Sequence, residues 1–342
     1  MKNYYLLIFL LICNNIIAQI SDFESVDFTI ADNVARLNKG ASLKNLPVLA
    51  HKLTHKLPTE VEKFRAIYTW VCNNIKGDHY QHEKVSRKRK KFENDSLGFI
   101  KWNKDYKKTA FKILINKKKT MCTGYAYIIK ELCFFANIES VIVDGYGRSV
   151  VSNVEKLNKP NHSWNAVKLN NKWYLCDATW SSGYTSSENS FVNEYNDGYF
   201  LTEPVLFAKN HYPFQKKWLL NDVLIASDFV APPLVYGETF KHKILPIFPK
   251  EMDITIITGE LITFSFKTLK NTTENQVSLV TFTGKNEHGF KIQELKNKNE
   301  ITTFKYQFKH KGYYDVHLKV NNAIVATYIV QVLKSEAKKL PL

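Results

Sequence analysis

After its first residues the sequence has no long apolar run, it has few cysteines, and it has too few acids to balance its bases. No later segment approaches the roughly 20 apolar residues of a transmembrane helix, so no span is expected in the mature chain. Five cysteines are too sparse for a dense disulfide scaffold. With Cys13 set aside, the remaining gaps of 50, 11 and 43 residues match no zinc module. No nucleic-acid motif accompanies the basic residues, and nucleic acid is not an expected partner. No internal repeat runs along the chain. Acids number 32 against 48 Lys and Arg, a formal charge of +16 that is not evenly spread.

The first residues read as an export signal. Lys2 gives a positive start, Tyr4 to Leu11 is apolar, and Ile16-Ile17-Ala18 before Gln19 offers a small residue at the cut. Ile12 is not small, which argues against lipoprotein processing at Cys13. The expectation is a signal peptide over residues 1–18 with cleavage after Ala18, and a secreted, periplasmic or cell-envelope location. Export permits disulfides, yet Cys72, Cys133 and Cys176 read more simply as small buried hydrophobes. Positive charge is concentrated between Lys84 and Lys119, where 14 Lys and Arg face three acids. A solvated, mobile insertion is the simpler reading. The alternative is a docking patch for acidic glycan, a membrane surface or acidic protein.

The length suits two domains, read as residues 19–230 and 231–335 with a tail over 336–342. Residues 28–56 carry short apolar clusters expected to form helices or turns. Thr59 with Glu62 three residues on makes a capping box. Val61, Phe64, Tyr68, Val71 and Ile75 then line one helix face, which Gly77 ends. A short helix is expected from near Thr109. Cys122, Ala126, Ile129, Cys133 and Ala136 mark a buried helix, with Asn137 as a left-handed cap. Val141 to Val143 reads as a strand, with its turn at Gly145 and Gly147, and residues 181–198 as a loop. After Ala231-Pro232-Pro233 short alternating runs predict a β-sandwich: Leu261 to Phe266, Val277 to Phe282, Phe304 to Phe308 and Tyr314 to Val320, with a turn at Asn321-Asn322. Asn271-Thr272-Thr273 fits the glycosylation pattern.

Chemistry centres on Cys122, at the start of the buried helix. Free N–H groups and partial positive charge there favour a thiolate, which is the nucleophile. The same N–H groups suit an oxyanion, and Gly124 leaves room for close substrate approach. His162 to Leu169 and Lys172 to Trp180 read as two strands around Asn170-Asn171. If Leu169 pairs with Lys172, then His162 faces Thr179 and Trp164 faces Asp177. His162 and Asp177 then share a sheet face roughly 7 Å apart at Cα. A carboxylate orienting an imidazole that reaches a thiol is the logic of an activated nucleophile. His79 and His82, near Asp78, read as solvated loop rather than as a metal pair.

These blocks resemble the transglutaminase-like superfamily, in particular its kyphoscoliosis-peptidase-like branch. The resemblance lies in Lys108-Thr109-Ala110 through Cys122-Thr123-Gly124-Tyr125-Ala126, in His162-Ser163-Trp164-Asn165, and in Trp173 through Cys176-Asp177-Ala178-Thr179-Trp180. Ala66 to Val71 resembles the leading helix. Tyr199-Phe200-Leu201-Thr202 with His211 and Pro213 resembles that branch's tail, where His211 reads as structural. The resemblance implies an α+β fold, a papain-like core followed by an immunoglobulin-like β-sandwich. It implies Cys122 as nucleophile, His162 as base then acid, and Asp177 as orienter, with no metal or cofactor. The expected function is a peptidase or amidase acting on protein or peptide substrate. The alternatives are a protein-crosslinking transglutaminase and a catalytically silent envelope module. The family commonly has Tyr-Asp after its leading helix, whereas Lys76-Gly77-Asp78 keeps only the Asp. Trp70 and Trp102 are candidate second oxyanion donors, although each reads more simply as packing.

Overall fold

The computed structural model describes residues 20–334, except 151, 153–156, 158, 221–226 and 270–274. The export signal, Cys13, Gln19, the 336–342 tail and the Asn271 pattern lie outside the described residues.

Helices α1 (Thr29–Leu37) and α2 (Leu46–Thr54) pack on α3 (Glu60–Asn74). Thr59 caps α3 by accepting from Glu62 N, and Glu62 accepts from Thr59 N at 3.2 Å, the expected capping box. Val61, Phe64, Tyr68 and Val71 are buried as predicted, and Ala66, Ile67 and Trp70 are buried too. The helix stops at Asn74 rather than at Gly77, because Ile75 turns extended and Lys76–Gly77 becomes strand β1.

The basic stretch is helical, not a loose insertion. It forms α4 (His79–Lys91) and the 22-residue α5 (Ser96–Lys117), far longer than the short helix expected from Thr109. Lysine and arginine are good helix formers, and propensity over such a run favours helix. Aromatic rings tie the two together. Trp102 stacks on Tyr106 with centroids 5.0 Å apart, Lys84 Nζ lies 4.5 Å from the Tyr106 ring, and Lys88 Nζ lies 5.7 Å from the Trp102 ring. His79 and His82 therefore sit on a helix, not in a loop. Strand β2 (Lys119–Thr120) returns beside β1 in parallel, with Lys76 opposite Lys119 and Gly77 opposite Thr120.

Helix α6 (Cys122–Phe135) lies across a four-stranded antiparallel sheet. The sheet order is β5-β4-β3-β8, from β3 (Ser140–Gly147), β4 (His162–Leu169), β5 (Lys172–Cys176) and β8 (His211–Pro213). Asn137 takes the expected left-handed conformation, φ 57°. Gly145 and Gly147 belong to β3 rather than to a turn. Gly145 is needed there because a Cβ would run into the Tyr212 backbone and the Trp164 ring. The β4–β5 hairpin has Leu169 opposite Lys172, and Asn170 and Asn171 both have positive φ, 50° and 66°. That is the primed turn whose twist suits a two-residue hairpin. The ladder ends at Asn165 opposite Cys176, so the expected Trp164–Asp177 and His162–Thr179 pairs do not form. Asp177 instead caps the short helix α7 (Ala178–Ser181), accepting from Thr179 N at 2.8 Å. Residues 181–198 are not all loop: β6 (Gly183–Thr185) and β7 (Phe191–Asn193) make a small hairpin.

The remaining strands are β9 (Leu234–Val235), β10 (Ile244–Phe248), β11 (Asp253–Ile257), β12 (Leu261–Thr268), β13 (Val277–Thr283), β14 (Asn286–Phe290), β15 (Gln293–Lys298), β16 (Ile301–Gln307), β17 (Gly312–Val320) and β18 (Ala323–Leu333). One sheet runs β10-β12-β16-β15. The other runs β11-β18-β17-β13-β14, with β9 also on β18. All pairs are antiparallel except β11 with β18. Phe264, Phe266, Phe304, Val316, Leu318 and Tyr328 fill the space between the sheets, an immunoglobulin-like sandwich core. The fold class is thus α+β followed by a β-sandwich. The two parts touch through Phe240, stacked on Tyr199 at 4.4 Å.

Candidate active site

Cys122, His162 and Asp177 come from three elements, and the fold brings them together. Cys122 is the first residue of α6, with Met121 as a cap that supplies no side-chain bond. Met121 O accepts from Gly124 N and Tyr125 N, whereas the first N–H groups of a helix have no intrahelical acceptor. Among the described residues the donors left free are therefore the N–H groups of Cys122 and Thr123. His162 opens β4, where Gly145 of β3 is its partner. Asp177 follows β5. His162 Nε2 lies 2.8 Å from Asp177 Oδ2, and the His162 ring is close enough to the Cys122 thiol for each to shift the other's ionisation. The ring thus joins the two groups that the residue count had placed near it, although Asp177 arrives as a helix cap rather than as a strand partner.

All three side chains are buried: Cys122 is 7% exposed, His162 8% and Asp177 0%. Burial alone pushes the Cys122 thiol up, but the His162 ring and the Ser163 N–H outweigh it, so the thiol ionises below its ordinary value. Burial disfavours the His162 imidazolium, yet the Asp177 carboxylate and the thiol raise it to about 10. Burial likewise opposes the Asp177 carboxylate, but His162 and His211 hold its ionisation below the usual range. The Cys122 and His162 shifts point the same way, towards a thiolate beside an imidazolium. The other thiols differ. Cys72, Cys133 and Cys176 are buried and unpaired, and burial pushes each of them up.

His211 was read from sequence as structural. It lies on β8, with Nε2 3.2 Å from Asp177 Oδ2 and Nδ1 2.7 Å from Asn210 Oδ1. Its ring stacks on Phe207 with centroids 3.9 Å apart. Burial lowers its ionisation to about 4, so at pH 7 it is neutral with a single N–H; with that N–H on Nε2 towards Asp177, the Asn210 amide turns its NH2 group to Nδ1. Nothing in the spacing of the chain signals this contact, which needs β8 to pair with β3 across more than 60 residues. His162, Asp177 and His211 place ligand atoms within 4.8 Å of one another, a set able to hold a metal ion. Both Nε2 atoms already engage Asp177 Oδ2, so hydrogen bonding accounts for the cluster.

Gly124 does not open space for substrate: its missing Cβ is filled by Thr120 Oγ1. Trp70 Nε1 donates to Asn38 O at 2.7 Å and so is not available to an oxyanion, while Trp102 lies on α5, stacked on Tyr106. Trp180 stacks on His162, centroids 4.6 Å apart, and borders a cleft of about 430 Å³ with Arg148, Tyr184, Glu194 and Tyr236. On α4, Gln81 is 3% exposed and its Nε2 has no acceptor among the described residues.

Residues 47–178 match the family model described as the transglutaminase-like superfamily. Human kyphoscoliosis peptidase is 27% identical over 311 residues, 88% of this chain and 42% of that protein. The mouse protein is 28% identical over 245 residues, 70% of this chain and 33% of the relative. Hillarin of Drosophila melanogaster is 26% identical over 236 residues, 65% of this chain and 26% of hillarin. The chain thus spans less than half the length of these relatives.

Proposed function

The chain belongs to the transglutaminase-like superfamily through the domain at residues 47–178, and on that premise we propose that it is a cysteine acyl-transfer enzyme that hydrolyses protein or peptide amides. The observation that carries this reading is the His162 ring, held 2.8 Å from Asp177 Oδ2 and close enough to the Cys122 thiol that each favours the other's charged form. In the proposed mechanism the Cys122 thiolate attacks the amide carbonyl. The free N–H groups of Cys122 and Thr123 accept the oxyanion, and such a donor is worth about 10²- to 10³-fold in rate. His162 imidazolium gives its proton to the leaving amine, the C–N bond breaks, and an acyl-thioester remains. His162, now neutral, takes a proton from water. The hydroxide attacks the thioester, and the acid leaves with the thiolate restored. Asp177 keeps the imidazole in place throughout.

Export with cleavage after Ala18, and division into a catalytic and a sandwich domain, belong to the same proposal. No helix among the described residues is long and apolar enough to cross a membrane. Incubating the pure chain with casein and a fluorescent primary amine tests the reaction type. Cleaved casein that disappears in Cys122→Ala supports hydrolysis, amine incorporation supports transfer to an amine, and neither product contradicts both. N-terminal sequencing of the protein recovered outside the cytoplasm tests export: an intact Met1 would contradict it.

A further inference from the structure

We propose that α4 and α5 select the substrate by recognising an acidic stretch on the protein whose amide Cys122 attacks. This rests on the acyl-transfer reading and names its substrate class. The two helices are rooted at the nucleophile. The chain departs at Gly77 and returns at Thr120, which face each other, and Asp78 N donates to Thr120 O at 2.8 Å. Cys122 follows two residues later. On the first turn of α4, desolvation and, more weakly, the charge of the nearby His162 lower the ionisation of His82.

The charge on these helices is not cancelled. Between Lys84 and Lys119 there are 14 cations, with Glu93, Asp95 and Asp105 as the acids and Glu83 just before. Among the described residues none of the 14 is in a salt bridge, whereas Lys168, Lys172, Lys243, Lys305 and Lys319 elsewhere each are. Lys84 and Lys88 rest over aromatic rings instead, which holds the helices together without a carboxylate. Like charges four residues apart, as at Lys84 and Lys88 or Arg87 and Lys91, weaken a helix. An acidic ligand relieves that repulsion. At about 1.5 Å per residue, Arg87 to Lys91 lies about 12 to 18 Å along α4 from its root. An extended peptide covers this in about four to six residues, so the acidic stretch belongs at that distance from the scissile amide. Leu97 and Ile100 stand exposed at the far end, on the first turns of α5, which makes an anionic membrane the competing partner.

The test measures fluorescence anisotropy on Cys122→Ala protein with two labelled peptides of equal length, one carrying a Glu/Asp tract and the other the matching Gln/Asn tract. The acidic peptide is expected to bind about tenfold tighter at low salt or better, and the difference to vanish near 0.5 M NaCl. Replacing Arg87, Lys90 and Lys91 with Gln removes most of the preference, while Lys296→Gln with Lys298→Gln on β15 leaves it. Should the triple variant misfold, the salt series on the otherwise unaltered chain decides. Equal binding of the two peptides overturns the proposal. So does binding to phosphatidylglycerol vesicles without peptide preference. Acidic preference without turnover by the unmodified protein sinks the acyl-transfer reading and spares the binding surface. Turnover without preference sinks only the selection.

Discussion

His162 and His211 direct their Nε2 atoms at one oxygen, Asp177 Oδ2, from 2.8 and 3.2 Å. The two rings have opposite electrostatic fates. His162 faces a thiol as well as the carboxylate, and its protonated form is favoured. His211 meets the same carboxylate but is fully buried beside the His162 ring, centroids 5.4 Å apart, and burial together with that neighbouring charge holds it neutral. Its N–H fixes the carboxylate that fixes the base, which makes His211 a positioning residue. Replacing it with Phe leaves a buried acceptor short of a donor, a loss of about 1 to 3 kcal/mol. The expected result is a fall in kcat of about five- to hundredfold with KM little changed. His211→Gln, which retains a donor, is expected to recover part of the rate. Equal loss in both variants would contradict the role.

The neutral state of His211 also gives a pH dependence of stability. Its folded ionisation, about 4, lies below the ordinary histidine value of 6.5. Between these values the unfolded chain binds the extra proton, so stability is fully present above pH 6.5 and is lost as pH falls towards 4. The size is on the order of 3 kcal/mol. His162, raised instead, contributes stability below pH 6.5 that is lost only as pH rises towards 10. Urea unfolding from pH 7.5 to 4.5 is therefore expected to slope less in His211→Phe than in the parent chain. Parallel curves would refute the assignment.

Reactivity should separate the four described thiols. Cys122 ionises below its ordinary value, whereas Cys72, Cys133 and Cys176 are pushed up and buried. Iodoacetamide on native protein is expected to modify Cys122 alone and to do so below pH 8, where ordinary thiols react slowly. In His162→Ala the midpoint of labelling moves up. Peptide mapping reads the site, and prior modification of Cys133 or Cys176 would count against the charge assignment.

The hairpin turn is a further point of leverage. Asn170 and Asn171 hold positive φ, which costs a residue with a Cβ roughly 1 to 2 kcal/mol and β-branched residues most. Asn170→Val is expected to lower the melting temperature by several degrees, while Asn171→Gly holds or raises it. Because this turn sets the register of β4, the Val variant should also lose activity. Unchanged stability in Asn170→Val would mean that the register is fixed elsewhere.

Local signals made much of the architecture readable. The capping box at Thr59, the helix from Cys122 and the Leu169–Lys172 register each depend on neighbours in the chain. So did four of the sandwich strands, through alternation. The longest strand, β18, escaped because its nearly unbroken apolar run, Ala323 to Val332, has little alternation to read. The extent of α5 was missed because its own rings, Trp102 and Tyr106, are held by lysines on another helix, Lys84 and Lys88 of α4. Asp177 was placed beside His162 for a reason that did not hold: strand pairing ends one residue earlier, and helix capping turns the carboxylate inward. His211 was not readable as part of the site, since its position follows from long-range pairing of β8 with β3.

The most direct measurement is intact-mass analysis after mixing the protein with an activated acyl ester and quenching in acid. The expected product is a single acyl group on the peptide that contains Cys122, absent in Cys122→Ala and much reduced in His162→Ala. No adduct, or an adduct that forms equally well without His162, would contradict an imidazole-activated thiol at the head of α6.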